Sequence, residues 1–256
     1  MKQIFIAAFC CLNMTHVEAQ GYVNVMTFNI RYDNAGDSLN SWQYTKDNAV
    51  SQILFHKVHL LGVQEALYNQ LGDLIAGLKF YKYAGVGRAD GKQKGEFPAI
   101  LYDTTRLRLI HSETFWLAEH PNIAGEKGWD AAIERIVTWA KFQDKKTKKF
   151  FYHFNTHFDH IGKIARRESA RLLLQRVKEI GGNAHCIITG DFNSMPSDEP
   201  IEVMTNKSHP DHLFDTKEAI RYAGLCLQKL SLVTKIDAGY KMRIEQSAIE
   251  RIKRLK

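Results

Sequence analysis

Four short polar clusters stand where apolar, β-rich runs stop: Thr27-Phe28-Asn29-Ile30-Arg31, Val63-Gln64-Glu65, Asn155-Thr156-His157-Phe158-Asp159-His160 and Thr189-Gly190-Asp191-Phe192-Asn193. Strand ends are where a rigid scaffold displays functional side chains. Taken singly, each cluster has an ordinary explanation: a strand-end Asn is a common turn former, a lone Glu is usually solvated and a lone His is usually structural. As a set they bring carboxylate and amide oxygens beside an imidazole. Such oxygens suit a hard cation, Mg2+ or Mn2+, which binds through few protein ligands and keeps several waters. The four cysteines form no zinc pattern. A hard cation beside neutral amides and a histidine suits phosphate esters. The metal would neutralise charge in the transition state, and a carboxylate would orient or deprotonate the attacking water.

The runs that position these clusters read as mixed strands and helices. Val23, Val25 and Thr27 alternate as a strand, Trp42 to Val58 carries helical spacing through Val50, Ile53 and Leu54, and Leu60 to Gln64 is a short strand. Ala99–Tyr102, Leu107–Leu117, Ile136–Gln143, Phe150–Asn155 and Cys186–Thr189 are further strand candidates, several rich in β-branched and aromatic residues. Lys145 to Lys149 reads as the solvated tip of a hairpin. Lys163 to Ile180 forms the clearest helix: Ala170, Leu173, Leu174 and Val177 line one face, and Gly181-Gly182 closes it. Cys186 lies in an apolar run and reads as core. Trp116, Trp129 and Trp139 could stack a base or a sugar, although aromatics on strands more often pack inside. No repeat or linker interrupts residues 21–220, which read as one α+β domain, a mixed sandwich in place of a repeating barrel.

The four motifs, in this order and spacing, resemble the endonuclease/exonuclease/phosphatase superfamily, the deoxyribonuclease I-like fold. The resemblance runs from about Val23 to about Ile220, and Gly190-Asp191-Phe192-Asn193 is its most specific element. It implies a four-layer α/β/β/α sandwich of two mixed sheets with the site at one end. By the same resemblance Glu65 is the principal metal ligand, joined by Asn29 and Asp191, with Mg2+ or Mn2+ as cofactor. Asn29 also helps position a phosphate oxygen, His157 hydrogen-bonds the scissile phosphate, Glu96 supports His157, Asp191 orients or deprotonates water, Asn193 holds a phosphate oxygen and Arg135 contacts phosphate. The competing readings are an exposed loop carboxylate for Glu96 and a salt-bridged surface arginine for Arg135. The implied activity is phosphodiester or phosphomonoester hydrolysis. The superfamily spans DNA, RNA, phospholipid and inositol-phosphate substrates, among which the fold does not choose.

Beyond Ile220 the pattern departs from the family. No Ser-Asp-His occurs in the chain, Ile236-Asp237 only faintly echoes the expected Ile-Asp-Tyr strand, and no role passes to Asp237. Residues 240–256 read as a short basic amphipathic helix, and 221–256 as a basic tail that a truncation or frame shift explains better than a purposeful extension. The fold is accordingly expected to be incomplete at its C-terminal side, and the alternative function is an impaired member that binds metal or phosphate without turnover. At the other end, Lys2, the apolar run Ile4 to Leu12 and Val17-Glu18-Ala19 read as an export signal over residues 1–19. The run is far short of the about 20 residues that span a bilayer, so the mature chain is expected outside the cytoplasm with no transmembrane segment.

The chain has 256 residues, 45% apolar and 25% charged, which excludes a disordered tail or a fibrous repeat. Its net charge of +7 invites a polyanionic partner. Residues 221–256 hold 9 basic and 3 acidic side chains, however, leaving only +1 for the rest. Nucleic acid stays possible as a substrate, but the charge does not argue for it.

Overall fold

The computed structural model describes residues 22–216 and the short strands Val233–Lys235 and Arg243–Ile244. The expected export signal and most of the expected basic tail, including Ile236-Asp237, lie outside the described residues.

In chain order the elements are β1 (Asn24–Asn29), a 3-10 turn (Ala35–Asn40), α1 (Trp42–Phe55), β2 (Leu60–Gln64), α2 (Tyr68–Gly77), β3 (Tyr81–Ala84), β4 (Ile100–Asp103), β5 (Leu107–Trp116), β6 (Ile136–Asp144), β7 (Phe150–His157), α3 (Lys163–Gly181), β8 (Cys186–Asp191), α4 (Glu199–Thr205), β9 (Phe214–Asp215), β10 (Val233–Lys235) and β11 (Arg243–Ile244). One sheet has the order β11-β1-β2-β4-β3 and the other β5-β6-β7-β8-β10-β9. Both are mixed. The parallel pairs β1/β2 and β7/β8 are each joined by a helix, α1 and α3, as a parallel connection requires. The hairpin β5-β6-β7 is antiparallel, and its four-lysine tip follows Asp144, whose N–H bonds the Lys149 carbonyl.

Side chains alternate across each strand, and this alternation sorts the core into three layers. Met26, Phe28, Leu61 and Val63 meet Trp42, Ile53, Leu71 and Leu74 of α1 and α2. Trp139, Phe154 and Ile188 meet Ala170, Leu173 and Val177 of α3. Val25, Leu60, Ile100, Phe142, Phe151 and Ile187 fill the space between the sheets. Three apolar layers separate four layers of structure, the expected α/β/β/α sandwich.

Local departures from the sequence reading have local causes. The first helix stops at Phe55 and not at Val58, because Lys57 turns to φ 48° and the Val58 N–H folds back to the Ile53 carbonyl. Helix α3 ends as expected, with Gly182 at φ 54° taking the left-handed conformation that costs glycine least. The 3-10 turn and the elements α2, β3, α4, β9 and β10 go beyond the sequence reading. They are short, and Gly72 and Gly77 dilute the periodicity of α2. Of the expected helix over 240–256 only Arg243 and Ile244 are described, and these pair with β1 as a strand, satisfying backbone groups that an open edge would leave bare. Cys186 is buried in the α3-facing core, as read.

Candidate active site

Both parallel pairs point the same way, so the C-terminal ends of β1, β2, β7 and β8 meet at one end of the sandwich. Asn29 closes β1, Glu65 follows β2, His157 closes β7 and Asp191 closes β8. Asn29 reaches Asp191 across the gap between the sheets, Glu65 is joined to Asn29, and His157 stands beside Asp191 in the same sheet. Asn29 Nδ2 donates to Glu65 Oε1 at 2.8 Å and to Asp191 Oδ2 at 3.1 Å. Its own Oδ1 accepts the Arg31 N–H at 3.0 Å, which fixes the amide with its nitrogen toward the two carboxylates. The second oxygen of Glu65 accepts the Tyr32 N–H at 3.2 Å. Buried Gln70 braces this loop, accepting from the Asp33 N–H and donating to the Arg31 carbonyl. Arg31, Glu65 and Asn193 all have positive φ, 64°, 64° and 46°. Strained non-glycine backbone of this kind, costing about 1–3 kcal/mol per residue, concentrates at functional sites.

Beside the carboxylates lies a small recess lined by Glu65, Arg88, Glu96, Pro98, Arg135, Ile136 and His157. Asn193 Nδ2 donates to the Phe158 carbonyl at 2.9 Å and faces His157 Nε2 at 3.0 Å. That leaves Nε2 as the acceptor, so the His157 proton sits on Nδ1. Nδ1 is buried without a partner, 3.9 Å from Glu96 Oε2. Burial, reinforced by the Arg135 charge, pushes the His157 pKa down to about 3, so the ring is neutral at working pH. Glu96 is held elsewhere: Arg88 grips both its oxygens, at 2.7 and 3.0 Å. Burial nevertheless raises the Glu96 pKa, against the opposing pull of Arg88.

Arg135 is only 4% exposed. Its Nε faces Asp159 Oδ2 at 3.5 Å and one terminal nitrogen faces His160 Nδ1 at 3.1 Å, while the other, Nη1, is buried and unpartnered. Burial disfavours an Asp159 anion, but the N–H groups of Gly162, Ile161 and Ala132, with Arg135, outweigh it and hold the carboxyl at about 2. An ionised pair thus braces Arg135 beside the recess and leaves its buried Nη1 without a hydrogen-bond partner.

Every residue singled out in the sequence, Asn29, Glu65, Glu96, Arg135, His157, Asp191 and Asn193, belongs to this one region. Arg135 is buried, which removes the surface-arginine reading, and Glu96 lines the recess, which removes the exposed-loop one. Two partners were missed. Asp159 was inside a quoted motif, and its two-residue offset from His157 was the available signal. Arg88 sits in the loop Gly85-Val86-Gly87-Arg88, where nothing in the sequence marks it. Of the tryptophans, Trp116 and Trp139 are buried, Trp139 against Phe154, and Trp129 is half-buried.

Among the described residues no three His, Cys, Asp or Glu side chains gather into a metal cage. The donor set is instead Glu65 and Asp191, two carboxylates drawn to one amide and, among the described residues, salt-bridged to no Lys or Arg. Two like charges this close call for a counter-charge, and oxygen ligands of this number fit a largely hydrated Mg2+ or Mn2+. Among the described residues no helix is long and apolar enough to cross a membrane.

The model of the Endonuclease/Exonuclease/phosphatase family matches residues 26–225. A crystal structure of an endonuclease/exonuclease/phosphatase from Bacteroides vulgatus is 42% identical, covering 82% of this chain and 85% of that one with a TM-score of 0.75. A mannosyl-6-phosphatase from Bacteroides thetaiotaomicron is 38% identical, covering 76% of this chain and 73% of that one with a TM-score of 0.72. Protein angel of Drosophila melanogaster is 23% identical over 181 residues, 66% of this chain and 48% of that protein. The chain spans between about half and three fifths of the curated relatives it matches.

Proposed function

The chain belongs to the endonuclease/exonuclease/phosphatase family, and from that premise we propose that it is an exported, Mg2+- or Mn2+-dependent hydrolase of phosphate esters. The observation that carries this reading is the meeting of Glu65, Asp191 and Asn29 with His157, Asn193 and Arg135 at one end of the sandwich. Glu65 and Asp191 would hold the cation with Asn29 ordering them, and the cation would supply charge neutralisation at the phosphoryl oxygens. Arg135 would donate its unpartnered Nη1 to a phosphate oxygen. His157 stays neutral and offers Nδ1–H to the same group, and Asn193 keeps it in that tautomer. Asp191, whose Oδ2 lies 4.0 Å from His157 Nε2, would orient or deprotonate the attacking water.

Similarity to a mannosyl-6-phosphatase favours a sugar phosphomonoester over a nucleic-acid diester as substrate. Export rests on the segment from Lys2 to Ala19. The experiment compares phosphate release from mannose 6-phosphate with cleavage of a generic phosphodiester, in Mn2+ and in chelator. Release from the monoester that requires Mn2+ and disappears in Asp191→Ala is the expected result. Wild-type turnover no greater than that of Asp191→Ala overturns the proposal and favours the second reading, a protein that binds metal or phosphate without turnover. The observation behind that second reading is the lack of Ser-Asp-His in the sequence.

A further inference from the structure

Along β1, β2, β7 and β8 the residues that face the other sheet change character toward the site. Val25, Leu60, Phe151 and Ile187 are apolar. One step on, with the same alternation, come Thr27, Gly62 and Gln64, His153 and Asn155, and Thr189. One step further are Asn29, His157 and Asp191. The pairing keeps these steps aligned: Thr27 lies opposite Gly62, Asn155 opposite Thr189 and His157 opposite Asp191.

The middle step is one hydrogen-bonded unit. Asn155 is fully buried and fully used. Its Nδ2 donates to the Val63 and Ala99 carbonyls at 2.8 and 2.9 Å, and its Oδ1 accepts from Gln64 Nε2 at 2.7 Å and Thr189 Oγ1 at 2.8 Å. Gln64 also donates to Thr27 Oγ1 at 3.1 Å. His153 Nε2 lies 2.8 Å from Thr189 Oγ1, and because that hydroxyl already donates to Asn155, Nε2 carries the proton. Gly62 makes the room: a Cβ there would stand 2.1 Å from Thr189 Oγ1 and 2.4 Å from Asn155 Oδ1.

We propose that this buried unit, Thr27, Gln64, Asn155, Thr189 and His153 over Gly62, sets the positions of Glu65, His157 and Asp191 across the two sheets. These are positioning residues for the phosphate-ester hydrolysis proposed above, and the inference rests on that reading. Apolar contacts between sheets are non-directional and tolerate sliding and repacking. Hydrogen bonds near 2.8 Å fix both distance and direction. The anchor points are close to the chemistry: Val63 is two residues from Glu65, Ala99 three from Glu96, Asn155 two from His157 and Thr189 two from Asp191. Asn155, a residue of the second sheet, therefore holds the first sheet by two carbonyls at the point where it delivers its carboxylates.

The test is Thr189→Val, which keeps shape and removes the hydroxyl, beside Thr189→Ser, which returns it. Three quantities are read on the full chain: kcat on mannose 6-phosphate at saturating Mn2+, Mn2+ affinity from the electron paramagnetic resonance of free Mn2+, and the urea midpoint. Misplacement of reacting groups by about 1 Å can cost about a hundredfold, so Thr189→Val is expected to lower kcat at least tenfold and to weaken Mn2+ binding several-fold. Thr189→Ser is expected to restore both to within about twofold. Unchanged kcat and Mn2+ affinity with a lowered urea midpoint overturns the proposal and leaves the unit as a stabilising feature only. If Thr189→Val does not fold, Thr27→Val at the half-buried end of the unit is read in the same way. A wild-type protein that binds Mn2+ but hydrolyses nothing overturns the proposed function, while the Mn2+ affinities still decide the positioning. A wild-type protein that does neither overturns both.

Discussion

The layer between the two sheets has two ends built by the same four strands on opposite rules. At one end Val25, Leu60, Phe151 and Ile187, joined by Phe142 of the neighbouring β6, fill space with apolar side chains. At the other, amides, hydroxyls and an imidazole satisfy one another and lead into Asn29, His157 and Asp191. The apolar end supplies stability from burial, which depends on volume and area. The polar end gains little net energy per hydrogen bond, about 0.5–1.5 kcal/mol, but leaves each partner only one arrangement. One end holds the sheets together and the other sets how they meet. Stability and activity should therefore respond to different substitutions.

The largest separation is expected at the extremes. Glu65→Ala should lower kcat by about a thousandfold or more, the scale on which members of a catalytic set fail, and shift the urea midpoint little. At the other end, Phe142→Ala removes a fully buried ring packed on Phe151 and Tyr102. It should cost about 3–5 kcal/mol of stability, read from urea unfolding, with kcat per folded molecule unchanged. If Phe142→Ala lowers kcat in the folded protein as strongly as Glu65→Ala does, the two ends are not separable.

The same contrast explains what could be read in the sequence. The strands of the apolar end were legible because Val23, Val25 and Thr27 alternate and the runs around Leu60 and Ile187 are apolar and β-rich, whereas the four-layer order came only with the family resemblance of the motifs. The four motifs were legible because polar residues break that signal at strand ends. What was not legible is contact without period. The pairing of Arg88 with Glu96 depends on a loop whose course no spacing encodes, and the offset of Asp159 from His157 marks the residue without telling that its partner is Arg135. Asn155 and Thr189 stood inside quoted motifs, yet their role as a bridge exists only once two sheets face each other. A lone buried His153 reads in sequence as one more strand residue.

His153 gives the comparison a pH axis. Burial lowers its pKa from an ordinary 6.5 to about 3, so the folded protein refuses a proton that the unfolded chain accepts. Above pH 6.5 the ring is neutral in both states and contributes no pH dependence. As pH falls from 6.5 toward 3 stability is lost, with a slope of up to about 1.4 kcal/mol per pH unit. His153→Gln, which keeps a donor for Thr189, should flatten this part of the curve when urea midpoints are measured between pH 7 and pH 4. Asp159, held at about 2, loses its contribution in a separate window, from about pH 4 down through pH 2. Equal slopes for wild type and His153→Gln between pH 6.5 and 4 would show that the polar end is hydrated and not sealed.

The smallest effect is expected at Glu96, where the family resemblance and the geometry part ways. The resemblance makes Glu96 the support of His157. In the structure both its oxygens are taken by Arg88, and His157 Nδ1 stands 3.9 Å away, too far for a hydrogen bond. His157 is oriented instead from its other nitrogen, by Asn193. Glu96→Gln preserves the shape and one bond to Arg88 and removes a charge that burial already disfavours. It should cost about tenfold in kcat/KM, as general acid–base support lost at one remove from the phosphate would, whereas Asn193→Ala should cost more because it frees the ring. Should Glu96→Gln prove as damaging as Glu65→Ala, the carboxylate must leave Arg88 and reach His157 during turnover, and the Arg88 pair would be a resting arrangement that substrate displaces.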